Sequence, residues 1–443
     1  MPINQTHDPN LRSWVESAND PASDFPIQNL PLCVVRDDSG AAMIGTVIGD
    51  RFLNLRVLAE HGLLKDADPD GALVSGPLVR DTLNALATVP GAVARLRQTL
   101  VRLLRADTPD LRDNPTIRDA ALRPLDAVRP TLSFAIGDYT DFYASKHHAT
   151  NVGSMFRPDN PLLPNYRHVP IGYHGRASSI VPSGTPVRRP MGQTKADDAA
   201  EPTFGPCRML DYEMEMGVFI GRGNELGRPI PIEKAREHML GMCIVNDWSA
   251  RDLQKWEYQP LGPFLAKNFA TTISPFVVTM EALEPFRVPG PERSADDPQP
   301  LPYLRGPADG GLDITVEVHV ATKQMRDRGL SPVRISKGNF RHMYWTLDQM
   351  VTHHASNGCN LQPGDLLASG TISGPTPESR GCLLELTWDG PGKPRKPVSL
   401  PTGETRTFLQ DGDEVIMRAY CERDGFRRIG FGECRGIIEP AQI

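Results

Sequence analysis

The sequence has no excess of basic residues, no long apolar run and no closely paired cysteines. Lys and Arg number 48 against 54 Asp and Glu, a formal net charge of -6, so the chain lacks the electropositive footprint of a nucleic-acid binder or of a protein held on an anionic membrane. Any anionic ligand must be met by local charges. No stretch approaches the ~20 apolar residues needed to span a bilayer. The segment before residue 30 carries Asp8, Glu16, Asp20 and Asp24 without the apolar run of a secretory leader. The seven cysteines (33, 207, 243, 359, 382, 421 and 434) are odd in number and include no C-x-x-C pair. That argues against a zinc site or a disulfide framework and fits a reducing cytoplasm. Neither the phosphate-binding G-x-x-x-x-G-K-[ST] nor the G-x-S-x-G nucleophile elbow occurs, and Gly370-Thr-Ile-Ser-Gly374 has no serine at its centre. Gly221-Arg-Gly-Asn-Glu-Leu-Gly227 resembles a dinucleotide loop, but its third glycine comes one residue late, and Pro229 and Pro231 open the next segment.

What is present points to a β-rich chain of two domains. At 443 residues the chain is longer than one core usually supports. Its 42 prolines and 39 glycines imply many turns and short strands. Leu32-Cys-Val-Val35, Met43 to Gly49 and Phe52-Leu-Asn-Leu55 read as strands of a small sheet. Across 56–107 the period becomes helical, with Val93, Leu96, Leu100, Leu103 and Leu104 at helical spacing and an interruption at Pro90. Pro124 and Pro130 mark a boundary near residue 125, dividing the chain into 1–125 and 126–443. Beyond it, short apolar runs such as Val218-Phe-Ile220, 314–320 and 414–417 suggest a mixed β-roll or sandwich. One helix is expected over 343–354, where His353 and His354 read as packing or capping residues, and 285–307 as a surface excursion.

The chemistry is carried by acids in unusual settings. In Leu210-Asp-Tyr-Glu-Met-Glu-Met-Gly-Val-Phe219, period two puts Glu213 and Glu215 on one face of a strand, ~6.5 Å apart along the chain. Two like charges in an apolar run repel unless a cation compensates them, although a solvated edge strand would give the same pattern. Asp247 ends the apolar run 244–247, and Asp141 lies in an aromatic-rich segment read as a turn. Together Asp141, Glu213, Glu215 and Asp247 offer an all-oxygen site suited to Mg²⁺ or Ca²⁺. Lys267, a lone cation in an apolar stretch, can offset the surplus negative charge, although taken alone it reads as a snorkelling side chain.

Several long motifs then resemble the fumarylacetoacetate hydrolase family: Asp141-Phe-Tyr-Ala-Ser-Lys-His-His148, Tyr173-His-Gly-Arg-Ala-Ser-Ser179, Asp211-Tyr-Glu-Met-Glu215, Asn246-Asp-Trp-Ser-Ala-Arg-Asp252, Gln254 to Phe264, and Ala368-Ser-Gly-Thr-Ile-Ser-Gly374. The resemblance runs from about residue 130 to the C-terminus and continues more weakly before it. It implies a mainly β (α+β) fold, with a small N-terminal SH3-like barrel, a C-terminal mixed β-roll and a homodimer. The implied reaction is metal-dependent hydrolysis of the carbon–carbon bond of 4-fumarylacetoacetate, late in tyrosine and phenylalanine breakdown, with no organic cofactor. It makes Asp141, Glu213, Glu215 and Asp247 the metal ligands, and places Lys267 and Thr271 among further cation contacts. It makes His148 the base, chosen over its neighbour His147 by register with Ala149 to Gly153, and Glu385 the carboxylate that orients it. Lys267, Gln254 and Arg251 are implied to stabilise developing charge, and Tyr143, Arg157, Tyr173, Gln254, Tyr258 and Thr371 to bind substrate. Two readings compete: another oxo-acid reaction on the same metal site, and a non-catalytic cation-stabilised binding protein. His148 with Glu385, together with the long N-terminal domain, favours hydrolysis over the first, and the second needs the acids but no base.

Overall fold

The computed structural model describes residues 2–442. Near the N-terminus the expected strands form an antiparallel meander of Leu32–Arg36, Ala42–Ile48 and Arg51–Asn54. Its second turn is a two-residue hairpin whose Gly49 has φ 56°, a left-handed conformation open to glycine. Leu122–Pro124 and Arg129–Pro130 add at the two edges, giving five strands. Their prolines are tolerated there because an edge strand has one side free of ladder bonds. This sheet is compatible with a small barrel.

The 56–107 segment is helical only in pieces: Leu55–Glu60, Ala72–Ser75, Asn84–Ala87 and Ala92–Leu104. Pro69, Pro77 and Pro90 interrupt propagation. The longest piece turns Leu96, Leu100, Leu103 and Leu104 fully inward. All seven cysteines are free thiols. Among the described residues no helix is long and apolar enough to cross a membrane.

Two large sheets build the rest, so the chain is mainly β with accessory helices. The first runs Gly172–Gly175, Tyr139–Phe142, Leu366–Ala368, Met214–Ile220, Met239–Asp247, Thr271–Ile273 and Ile180–Pro182, with Val278–Thr279 also paired to Met239–Asp247. The second runs Val333–Asn339, Thr315–Ala321, Glu414–Cys421, Ile429–Glu439 and Val187–Arg188. Met214–Ile220 lies inside the first sheet between two partners and is buried throughout. A solvated edge strand is therefore ruled out.

Its two faces do different work. Met214, Met216, Val218 and Ile220 join Ile244, Val316 and Met417 in the core between the sheets. Phe219, Cys243, Val245 and Leu366 belong to a second core that includes Leu32, Val34 and Leu100 from the N-terminal part. Phe219 stacks on Phe134 with ring centroids 4.6 Å apart. The N-terminal part thus covers one face of the first sheet, and that face is the one that also carries the site.

Three expectations need correction. Asp141 lies in the strand Tyr139–Phe142 and not in a turn, because Leu366–Ala368 and Gly172–Gly175 pair with it on both sides. The helix expected over 343–354 is Leu347–Ala355, since Thr346 caps it in a reciprocal capping box with Gln349 and Met343 is extended. The 285–307 excursion is not wholly a surface feature: the Asp297 side chain is buried and accepts two bonds from Lys146 Nζ, at 2.9 and 2.7 Å.

Candidate active site

Strand register explains how acids far apart in sequence meet. Glu215 pairs with Val245, so Asp247, two residues on, shares its face; Gly217 pairs with Ala368, which pairs with Asp141. Asp247 pairs with Thr271, and Asp141 with Tyr173. Cross-strand partners share a face, so Asp141, Glu215, Asp247, Thr271 and Tyr173 project to one side, at the end left free by the N-terminal core. Glu213 lies just before the strand Met214–Ile220, where the expected strand over 210–219 is broken, and its carbonyl accepts from the Asp247 N–H at 3.3 Å. One carboxylate oxygen from each of Asp141, Glu213, Glu215 and Asp247 lies within 4.8 Å of the others, and all four residues are buried.

The cluster carries more negative charge than its neighbours cancel. Lys267 Nζ bonds to Glu213 and, at 2.5 Å, to Asp247. Arg251 Nη1 lies 2.8 Å from Glu213, while its Nε donates to Asp211 at 2.9 Å. Burial opposes the Glu213 anion, yet Lys267, Arg251 and His148 outweigh it and hold its carboxyl well below the usual range. Burial and the neighbouring acids push Asp141 and Glu215 far above that range. Burial also raises Asp247, against the pull of Lys267. Glu215 Oε2 accepts from the Gly370 N–H at 3.1 Å, but Glu215 Oε1 and Asp141 Oδ1 are buried without any partner. Orphaned carboxylate oxygens in a hard-oxygen set are what a divalent cation satisfies, so the residues fit one. Lys267, whose ammonium is kept charged by Asp247 and Glu213 against burial, contacts the acids as a cation itself. Thr271 Oγ1 lies 3.5 Å from Asp247 Oδ1.

The second constellation adjoins the first. Ser145 caps the helix Lys146–Phe156, its Oγ accepting from the His148 N–H at 3.2 Å. That helix directs the buried His148 at Glu385, with Nδ1 2.5 Å from Oε2, and leaves Nε2 4.0 Å from Glu213 Oε1. His147 is only half-buried and lies edge-on to His342. Burial opposes the Glu385 anion too, but His148 and the donors Asn151 and Ser373 prevail and hold its carboxyl at about 2. Glu385 therefore stays ionised, and since a carboxylate only accepts, Nδ1 is the ring nitrogen that donates to it, turning Nε2 towards Glu213.

The remaining expected residues surround these two centres. Tyr143 packs edge-on to the His148 ring with centroids 5.3 Å apart. Tyr173 OH donates to Asp247 Oδ2 at 3.0 Å, and Gln254 Oε1 accepts from Arg251 Nη1 at 3.1 Å. Thr371 is buried next to Gly370. Arg157 ends the His148 helix with Nε buried and unpartnered. Tyr258 follows the helix Arg251–Glu257 and meets Phe156 at 6.1 Å, next to Arg157. Sequence reasoning missed Asp211. Its carboxylate caps the turn carrying Glu385 by accepting from the Leu383 and Leu384 N–H groups at 2.8 and 2.9 Å, and it also holds Arg251. The available signal was that Asp211 continues the i, i+2, i+4 run of acids in Asp211-Tyr-Glu-Met-Glu215.

Comparison with known proteins agrees with this geometry. Residues 138–438 match the family described as fumarylacetoacetate (FAA) hydrolase C-terminal, and residues 28–133 that described as fumarylacetoacetase N-terminal. The fumarylacetoacetases of Bos taurus and Homo sapiens are each 50% identical to this chain, over 441 and 444 residues, covering 97% of this chain and 99% of theirs. That of Arabidopsis thaliana is 47% identical over 439 residues with the same coverage. Among solved structures, a fumarylacetoacetate hydrolase from psychrophilic Exiguobacterium antarcticum shares the fold, with a TM-score of 0.50 at 20% identity over 93% of this chain and 100% of that one. A buried four-acid cluster beside a histidine–carboxylate pair, set in a chain matched along nearly its whole length, makes this protein a member of the fumarylacetoacetate hydrolase family.

Proposed function

We propose that this protein hydrolyses the carbon–carbon bond of 4-fumarylacetoacetate, giving fumarate and acetoacetate, with His148 as general base. The observation that carries the reading is the placement of His148 Nε2 4.0 Å from Glu213, so that the imidazole borders the acid cluster. Asp141, Glu213, Glu215 and Asp247 hold the cation, taken as Mg²⁺ or Ca²⁺ from their hard oxygens. When bound, that ion supplies a Lewis acid beside the diketone.

The chain's own groups do the rest. His148 Nε2 takes a proton from water, and the ionised Glu385 steadies the imidazolium. The water oxygen bonds to the fumaryl carbonyl carbon. Collapse of that adduct breaks the carbon–carbon bond, and the electron pair goes to the carbon next to the remaining keto group, which delocalises it. The imidazolium returns its proton to that carbon, and fumarate and acetoacetate leave. Lys267, Arg251 and Gln254 sit where negative charge develops. Arg157, with its unpartnered Nε, meets a substrate carboxylate, while Tyr143, Tyr173, Tyr258 and Thr371 line the substrate. The same reading takes 1–125 as a covering domain and 126–443 as the catalytic one, in a cytoplasmic homodimer.

Loss of the diketone absorbance of fumarylacetoacetate tests the proposal. The purified protein consumes it, EDTA abolishes turnover, and His148→Ala lowers kcat by roughly 10³-fold or more while cation binding is kept. Near-normal kcat in His148→Ala removes the base role, and turnover unaffected by EDTA removes the cation.

A further inference from the structure

Besides His148, Glu385 meets three donors that the reaction as described does not use. Its side chain is fully buried, and four groups reach its two oxygens. His148 Nδ1, Ser373 Oγ at 2.8 Å and Cys382 Sγ at 3.2 Å meet Oε2, while Asn151 Nδ2 meets Oε1 at 2.7 Å. The direction of the serine bond is fixed by its surroundings: Ser373 Oγ already accepts from the Gly381 N–H at 3.0 Å, so its own proton goes to Glu385. Asn151 follows His148 by three residues on one helix, which puts both side chains on the same face and both against the same carboxylate. Ser145 joins the same structure, capping that helix and donating to the Ser373 carbonyl at 3.1 Å.

We propose that Asn151 and Ser373 are positioning residues: by donating to opposite oxygens of Glu385 they lock its carboxylate plane, and through it hold the His148 ring with Nε2 facing the acid cluster. Oε2 takes three of the four donors and Oε1 one, so rotation of the group breaks at least one bond at a fully buried carboxylate. Removing the Asn151 amide leaves Oε1 as an unsatisfied buried anion, which costs ~1–3 kcal/mol or more. The carboxylate relieves that cost by turning, and it then releases Nδ1. Cys382 is the weakest of the donors because a thiol donates poorly.

This inference rests on the hydrolytic reading for its kinetic effect but not for its structural one, so two measurements are paired. Asn151→Asp and Ser373→Ala, in the full-length protein with Mg²⁺, are compared with wild type for kcat and KM on fumarylacetoacetate. Nitrogen-15 spectra of histidine-labelled protein, with His148 assigned by the signals lost in His148→Gln, report its tautomer. Each variant is expected to lower kcat by roughly 10- to 100-fold with KM changed less than about twofold, and to move His148 from the Nδ1-protonated tautomer towards a mixture. Ser373→Cys, which keeps a weaker donor in nearly the same volume, recovers part of the lost kcat. In a Glu385→Gln background, Asn151→Asp and Ser373→Ala have little further effect, because both act through Glu385. An equal fractional loss in that background, or an unaltered His148 signature, overturns the proposal. If wild type leaves fumarylacetoacetate intact while the tautomer responds to both variants, the hydrolytic reading fails and the positioning roles stand.

Discussion

Glu215 and Asp141 each keep one buried oxygen without a hydrogen-bond partner, and both resist ionisation while burial and neighbouring acids act alone. Asp247→Ala is accordingly expected to weaken Mg²⁺ binding by more than about tenfold, or ~1.4 kcal/mol, measured by calorimetry with the metal alone; unchanged affinity would contradict its role. Glu385 behaves oppositely, since its carboxyl is held at about 2. A depressed folded-state value stabilises the fold above the unfolded carboxyl value and loses that contribution as pH falls through the folded one. The stability gap between wild type and Glu385→Gln should thus be flat above about pH 5 and close as pH falls towards 2, as followed by denaturant unfolding. Gly370 is a third sensitive position. Its φ is +75° and a Cβ there would lie 2.2 Å from the Phe142 carbonyl oxygen. Gly370→Ala is expected to destabilise the fold by at least ~2 kcal/mol and to pull the amide away from Glu215, which thermal unfolding and Mg²⁺ affinity would both register.

Elements differ in how far the sequence discloses them. The strands at 32–36, 42–48 and 51–54 are legible because alternation and glycine turns agree. The helical stretch before residue 107 breaks into pieces because proline and glycine override its apolar period. Asp141 reads as a turn residue, since four residues of strand are too short a window for alternation to register. Period two links Glu213 and Glu215, whose carboxylates do meet although Glu213 lies just before the strand, but which strands lie beside them is a matter of register between distant segments. No local pattern encodes the pairing of Asp247 with Thr271 or of Asp141 with Tyr173. His148 and Glu385 are likewise 237 residues apart and were paired through family likeness alone. The 285–307 segment hides its role for a similar reason, as Asp297 finds Lys146 across 151 residues. That contact ties the excursion to the first turn of the His148 helix, so Asp297→Ala is expected to cost ~1–3 kcal/mol in urea unfolding, and an unchanged midpoint would show the tie to be inert.

For the whole molecule, the decisive arrangement is a single sheet face shared between an apolar cover and an acidic end. Removing residues 2–125 would strip Phe219, Val245 and Leu366 of their N-terminal partners, and the remaining chain is expected to aggregate, as light scattering would show. The acidic end draws on three strands of one sheet, two adjacent and the third beyond Leu366–Ala368, that are separated along the chain by tens of residues. An ion seated among those oxygens would act as a staple between distant stretches of polypeptide. Its grip would exist only once they had been brought together, so supply of the ion would set durability. Each tenfold rise in free Mg²⁺ above its dissociation constant should add ~1.4 kcal/mol to the folded state. The melting temperature should therefore climb with the ion and fall back under chelation, making this hydrolase self-limiting where the ion is scarce.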